Sequence, residues 1–122
     1  MAWISVADRF WPADRTGRIT LPVAGDDPRG RRVAAELTNV TGFDALDIGG
    51  LENSWRVQPG TAAYCTELPL DALRAAVEQA ERDHAPTRRD LSSKAFATFD
   101  TGFTRRDVVR FHRAVTRTPD PA

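Results

Sequence analysis

The stretch Arg18-Ile19-Thr20-Leu21-Pro22-Val23-Ala24-Gly25-Asp26-Asp27-Pro28 decides the architecture, because it reads as a strand running straight into a helix. Residues 18–24 form an apolar and β-branched run entered through Gly17 and left through Gly25. Pro22 donates no ladder hydrogen bond, which puts this strand at a sheet edge or makes Pro22 a strand end. Asp26 and Asp27 supply carboxylates for the free N–H groups of a first helical turn, and Pro28 is tolerated at the first helical position. Val33, Leu37 and Val40 then fall at i, i+4 and i+7, widened by Ala34, with Arg29, Arg31, Arg32 and Glu36 on the other side. This spacing predicts an amphipathic helix, whose apolar stripe ordinarily turns to the core, stopped by Gly42 as a left-handed cap. Residues 43–48 alternate apolar and acidic side chains and predict a second strand with one wet face, ended by Gly49-Gly50.

Downstream, residues 51–58 read as a short helix halted by Pro59-Gly60. Residues 69–83 predict a second amphipathic helix, with Leu70, Leu73, Val77 and Ala80 on one face and Arg74, Glu78, Glu81 and Arg82 on the other. His84-Ala85-Pro86 ends it. Residues 91–102 hold Phe96 and Phe99, followed by Phe103, without a strand or helix period. Thr104 and Asp107 make a capping-box-like start, and Val108, Phe111 or His112, and Val115 form the stripe of a last helix. Upstream, residues 3–14 mix Trp3, Phe10 and Trp11 with Asp8, Arg9 and Pro12 and read as a docked arm or a broken short helix. The chain is therefore expected to be one α/β domain over residues 1–122. It divides into an arm (1–16), a core (17–83) and a basic helical extension (84–122), with a short sheet of 2–3 strands and 3–4 helices.

The 122 residues carry 17 Lys+Arg against 17 Asp+Glu, and 41% are hydrophobic. A formal net charge of zero argues against nucleic acid or an anionic membrane as the main partner, since those surfaces are bound through excess cations. The balance hides a net charge of +4 beyond residue 84. One cysteine, Cys65, excludes an internal disulfide framework and a Cys-rich zinc module. No apolar run approaches the roughly 18 residues that span a bilayer, and Met1-Ala2-Trp3 does not open a signal peptide. The expected compartment is cytoplasmic.

Neither G-x-G-x-x-G nor G-x-x-x-x-G-K-[ST] occurs in the chain, so the glycine loops that let backbone N–H groups reach a pyrophosphate are missing. The nearest feature is the Gly25-Asp26-Asp27 turn, where two carboxylates repel a phosphate. That turn reads as a structural cap, with a base or hydroxyl-binding carboxylate as the functional alternative. His84 and His112 have no metal-ligand spacing. Cys65 has no neighbouring cation to activate it and reads as a small buried group. The richest stretch is 47–64, which sets Glu52, Ser54, Trp55, Gln58 and Tyr64 among turn residues directly after a strand end, where clefts of α/β folds open. In the alternative reading Trp55 and Tyr64 anchor the core and Gln58 caps a turn.

Residues 18–28 together with Gly42-Phe43-Asp44-Ala45-Leu46-Asp47-Ile48-Gly49-Gly50-Leu51-Glu52-Asn53-Ser54-Trp55-Arg56-Val57-Gln58-Pro59-Gly60-Thr61 resemble the C-terminal part of the deazaflavin-dependent NADP oxidoreductases. These "predicted dinucleotide-binding" reductases are distantly related to pyrroline-5-carboxylate reductases, and the resemblance covers about residues 17–82. It implies a truncated Rossmann-like domain. In that family the N-terminal part holds NADP on its glycine fingerprint, while this part completes the sheet and helps form the deazaflavin or substrate side of the cleft. The chain starts where the fingerprint half has already ended, so no residue inherits a cofactor-phosphate role and no cofactor is expected to bind this chain alone. The loop from Glu52 to Tyr64 inherits proximity to a hydride acceptor, and Asp26 and Asp27 inherit the role of the family's Ala-Gly-Asp-Asp turn.

Losing a Rossmann half exposes a sheet edge and helix faces that the arm, the tail or a second copy must cover, which makes a homodimer or a separate partner chain the expected state. Three functions compete. One is a truncated NADP-dependent oxidoreductase domain without hydride transfer of its own. Another is a repurposed enzyme or binding domain for a small organic molecule, with Glu52, Tyr64, Asp26 and Asp27 as acid/base groups and Ser54, Trp55 and Gln58 as substrate contacts. The last is an interaction module that uses the basic final helix.

Overall fold

A computed structural model describes residues 18–117. The expected α/β fold is what it shows: a two-stranded parallel sheet and, among the described residues, four α-helices and one 3-10 helix. Strand β1 (Thr20–Val23) leads into α1 (Pro28–Val40), which returns the chain to β2 (Asp44–Asp47). The strands pair Thr20 with Asp44 and Val23 with Asp47. A parallel pair needs such a crossover, and here a single helix makes it.

The ends of α1 are set as the sequence predicts. Asp27 is the N-cap, its Oδ1 accepting from the Arg29 N–H at 3.0 Å, with Pro28 at the start of the helix. Gly42 follows the C-cap Thr41 with φ +100°, a conformation that costs glycine little. Which face turns inward differs from expectation. Val33, Leu37 and Val40 are 52%, 62% and 74% exposed, while Arg31, Ala34, Ala35 and Thr38 are the half-covered positions. Small Ala34 and Ala35 suit close approach to a sheet only two strands wide, and so narrow a sheet cannot also reach the bulkier stripe.

Buried Arg18 locks this unit. Its Nε donates to Gly42 O at 3.0 Å, and Nη2 donates to Asn39 O and Phe43 O, both at 2.9 Å. Nη1 donates to Asn39 Oδ1 at 3.1 Å and lies 3.4 Å from Asp44. One planar guanidinium thus satisfies the carbonyls where α1 ends and β2 begins.

Beyond β2 the 3-10 helix (Leu51–Val57) leads to a loop and then to α2 (Leu70–Glu78). The expected stripe of α2 does face inward. Leu73 and Val77, with Ala76, join Leu46, Ala63 and Leu68 in the main apolar cluster. The helix stops at Glu78 and not at residue 83, and the residues left unassigned by their lack of period start a new one. Helix α3 (Ala85–Thr98) begins with Pro86 in its first turn, so His84-Ala85-Pro86 both separates two helices and opens the second. A Cβ on Gly60, where φ is +93°, would run into the Ala85 carbonyl, so the start of α3 sits tightly on that turn.

The final helix, α4 (Arg105–Thr116), carries the predicted capping box: Thr104 Oγ1 accepts from the Asp107 N–H, and Asp107 Oδ2 accepts from the Thr104 N–H at 2.8 Å. Phe96 of α3 packs on Phe111 and His112 of α4 at ring separations of 5.2 and 5.4 Å. Among the described residues no helix is long and apolar enough to cross a membrane. The arm expected at residues 1–16 lies outside the described residues.

Replacing Arg18 with Leu leaves buried carbonyls without donors, so it is expected to lower stability by about 2–4 kcal/mol in urea unfolding followed by circular dichroism. Arg18→Lys recovers less than half, because an ammonium cannot span the same acceptors. A loss under about 1 kcal/mol would refute this role for Arg18.

Candidate functional site

The C-terminal ends of β1 and β2 meet at a tight pair of turns. Gly25 N–H donates to Gly49 O at 3.0 Å, and Arg31 on α1 donates through Nη1 to Gly25 O at 2.6 Å while its Nε reaches the Asp47 carboxylate. Asp47 Oδ1 accepts from the Gly49 N–H at 2.8 Å. That backbone bond, reinforced by Arg31, holds the Asp47 carboxyl below the usual carboxylate range.

The sequence-predicted acids gather on this end. Asp26 Oδ1 accepts from the Leu51 N–H at 3.0 Å and so caps the 3-10 helix, whose first turn holds Glu52. A Cβ on Gly50 would stand 3.0 Å from Glu52 Oε2 and 3.1 Å from Asp26 Oδ1, so glycine there lets both carboxylates close in. Asp27 caps α1 a residue away. Three carboxylates therefore surround the start of α1, the one place where a βαβ unit ordinarily offers N–H groups to a phosphate.

The other predicted residues are not drawn into that cluster. Ser54 is exposed. Trp55 lies half-buried beneath two guanidinium groups, Arg56 at 4.6 Å and Arg82 at 5.4 Å from its ring centre, and Arg56 also donates to Val77 O at 3.2 Å. These contacts make Trp55 an anchor between the 3-10 helix and the end of α2. Gln58 closes a turn through its backbone, its carbonyl accepting from the Thr61 N–H and hydroxyl at 3.1 and 2.8 Å.

Tyr64 belongs to a different neighbourhood, a strap at 64–68 laid beside β1. Its ring meets His112 of α4 edge-on at 5.3 Å. Cys65 and Glu67 in this strap have φ of +54° and +49°, an unusual conformation for residues with a Cβ. Arg113 of α4 holds them by donating to Thr66 O at 2.9 Å and Glu67 O at 3.3 Å, and Arg105 pairs with the Glu67 carboxylate at 3.0 Å. Leu68 O then accepts from the Thr20 N–H at 2.9 Å. Sequence reasoning missed this strap, because its conformation is imposed by arginines some forty residues further along the chain. Cys65 is half-buried, and burial pushes its thiol up, away from a reactive thiolate. Among the described residues no group of three or more His, Cys, Asp or Glu could hold a metal ion.

Fold and site define a small α/β protein organised on one βαβ unit, with carboxylates gathered at its strand ends. No family model and no solved structure matches the chain. YjhV of Escherichia coli (strain K12) is 30% identical over 104 residues, which cover 85% of this chain and 76% of YjhV. The chain belongs to the same family as YjhV.

Burial holds the His112 imidazole below its usual range, so it is neutral in the folded protein near pH 7. The unfolded chain, with a pKa of about 6.5, takes up a proton that the native state resists. Stability from this site is expected to be full above about pH 6.5 and to fall as the pH drops through it and on toward the native pKa. Urea midpoints at pH 7.5, 6.5 and 5.5 check this, and His112→Phe should flatten that part of the profile. Asp47 and Asp107, both held low, lose their contributions only further down, below the ordinary Asp range. An unchanged slope in His112→Phe refutes the assignment.

Proposed function

We propose that this protein is a truncated, NADP-reductase-like domain that completes a sheet and associates with a second chain, without holding a dinucleotide or transferring hydride alone. The observation that carries this reading is the filling of the β1–α1 turn. Asp27 takes the first free N–H of α1 and Asp26 takes that of Leu51, with Glu52 beside them. A pyrophosphate entering there meets negative charge where a Rossmann turn presents bare N–H groups. NADP or a deazaflavin would reach this protein only through another chain, and the compartment that suits such a role is the cytoplasm.

Association is supported by α1. Its outward residues Gly30, Val33, Leu37 and Val40 repeat with spacings of three, four and three, the pattern of a helix seam. Set antiparallel against its own copy about a two-fold axis, the seam places Gly30 opposite Val40 and Val33 opposite Leu37, small against large in each layer. Such self-complementarity favours a second copy over an unrelated partner.

NADPH, NADP+ or a deazaflavin at millimolar concentration should leave the thermal midpoint of the purified chain unmoved, whereas any ligand selective for the native state raises it. The mass in sedimentation equilibrium should be that of a dimer, and Leu37→Glu should make it a monomer with its circular dichroism unchanged. A saturable rise with a dinucleotide would overturn the first part, and a wild-type monomer the second.

A further inference from the structure

A groove of about 370 Å³ runs between β1 and the strap at 64–68, away from the carboxylates at the strand ends. Leu21, Pro22, Val57 and Leu73 give it apolar walls, and Thr20, Tyr64 and Cys65 are the polar residues that matter within it. Its size and mixture of a mainly apolar lining with few polar groups are those of a small-molecule site.

Thr20 is 4% exposed, and its hydroxyl oxygen is shut off from solvent without a hydrogen-bond partner. Buried hydroxyls in folded proteins are paired as a rule, so an orphan bordering a groove marks the place of a missing donor or acceptor. The groove offers no charge to a ligand. Among the described residues no Lys, Arg or His lines it, and its one acid, Glu67, is paired with Arg105. Burial pushes both the Tyr64 phenol and the Cys65 thiol up, so each is neutral near pH 7. A charged molecule would lose its hydration there without compensation. The walls cannot simply fold over the space, because the strap's left-handed residues are fixed from outside by Arg105 and Arg113. Nor can a further strand fill it by ladder bonding: the Thr20 N–H is taken by Leu68 O, and Pro22 has none.

We propose that this groove binds a small uncharged molecule, an apolar body bearing one hydroxyl or carbonyl oxygen, with the Thr20 hydroxyl turning about χ1 out of the groove wall to pair with that oxygen and the body against Leu21, Pro22, Val57 and Leu73. The site is independent of the reductase reading, since it uses neither the strand-end carboxylates nor the seam on α1.

The test is a titration of the full chain with benzyl alcohol, followed by amide chemical shifts, with toluene, benzoate and benzylamine as comparisons. Saturable shifts confined to residues 19–23, 57–59, 63–68 and 73 are expected with benzyl alcohol. Thr20→Val, which keeps the shape and removes the oxygen, should weaken binding about five- to tenfold. Absence of saturable shifts in those segments overturns the proposal, as does equally tight binding of benzoate or benzylamine, or an unchanged affinity in Thr20→Val. If that variant does not fold, the wild-type chain still decides, because benzyl alcohol in the groove should slow alkylation of Cys65 by iodoacetamide. An unaltered alkylation rate at saturating benzyl alcohol contradicts the site.

Discussion

A buried guanidinium must have its donors answered, and Arg18 answers four of its hydrogen bonds within one short segment, the end of α1 and the start of β2. Because Arg18 stands just before β1, the same bonds fix where β1 begins relative to β2. The register that follows brings Val23 level with Asp47 and so sets both strand ends side by side. A helix that packs on only two strands gains little from burial, and α1 has no fully buried residue. Its attachment therefore depends unusually on polar geometry, with Arg18 at one end and Arg31 tying Gly25 to Asp47 at the other.

What the strand ends can do follows from that arrangement. The turn after β1 is where this topology ordinarily meets a ligand, and here Asp27 already takes the Arg29 N–H while the Gly25 N–H goes to the Gly49 carbonyl. The tail acts on the opposite side. Helix α4 reaches back through Arg105 and Arg113 to hold a strained strap along β1, and α3 wedges its first residue against Gly60. The basic extension is thus part of how the groove beside β1 keeps its shape, which a reading of its net charge alone does not reveal.

Local chemistry was legible in the sequence wherever the cause and the effect lay within a few residues. Asp27 before Pro28, Gly42 after the helix and Thr104 three residues before Asp107 each act as their local chemistry dictates, the two side chains by accepting N–H groups and Gly42 by lacking a Cβ. Periodicity identified the stripe of Val33, Leu37 and Val40 as a face but could not say what that face meets, since the partner surface depends on how many strands the sheet has. Residues 85–98 carry no apolar period because α3 is held by its end contacts and by one aromatic cluster at Phe96. The grouping of Asp26 with Glu52 was recoverable from two turns following two parallel strands. Tyr64 was misplaced in that group because only the long-range bonds from α4 reveal the strap.

The central claim is that the Arg18-fastened βαβ unit is the kernel on which strap, groove and tail are built. Native-state hydrogen exchange resolved by residue tests it directly. The account predicts that the Asp44 and Ile48 amides, which donate to Ile19 and Val23 across the sheet, exchange most slowly, and that amides of α3 and α4 open first. Slowest exchange in α3 and α4, with the sheet amides opening ahead of them, would contradict it.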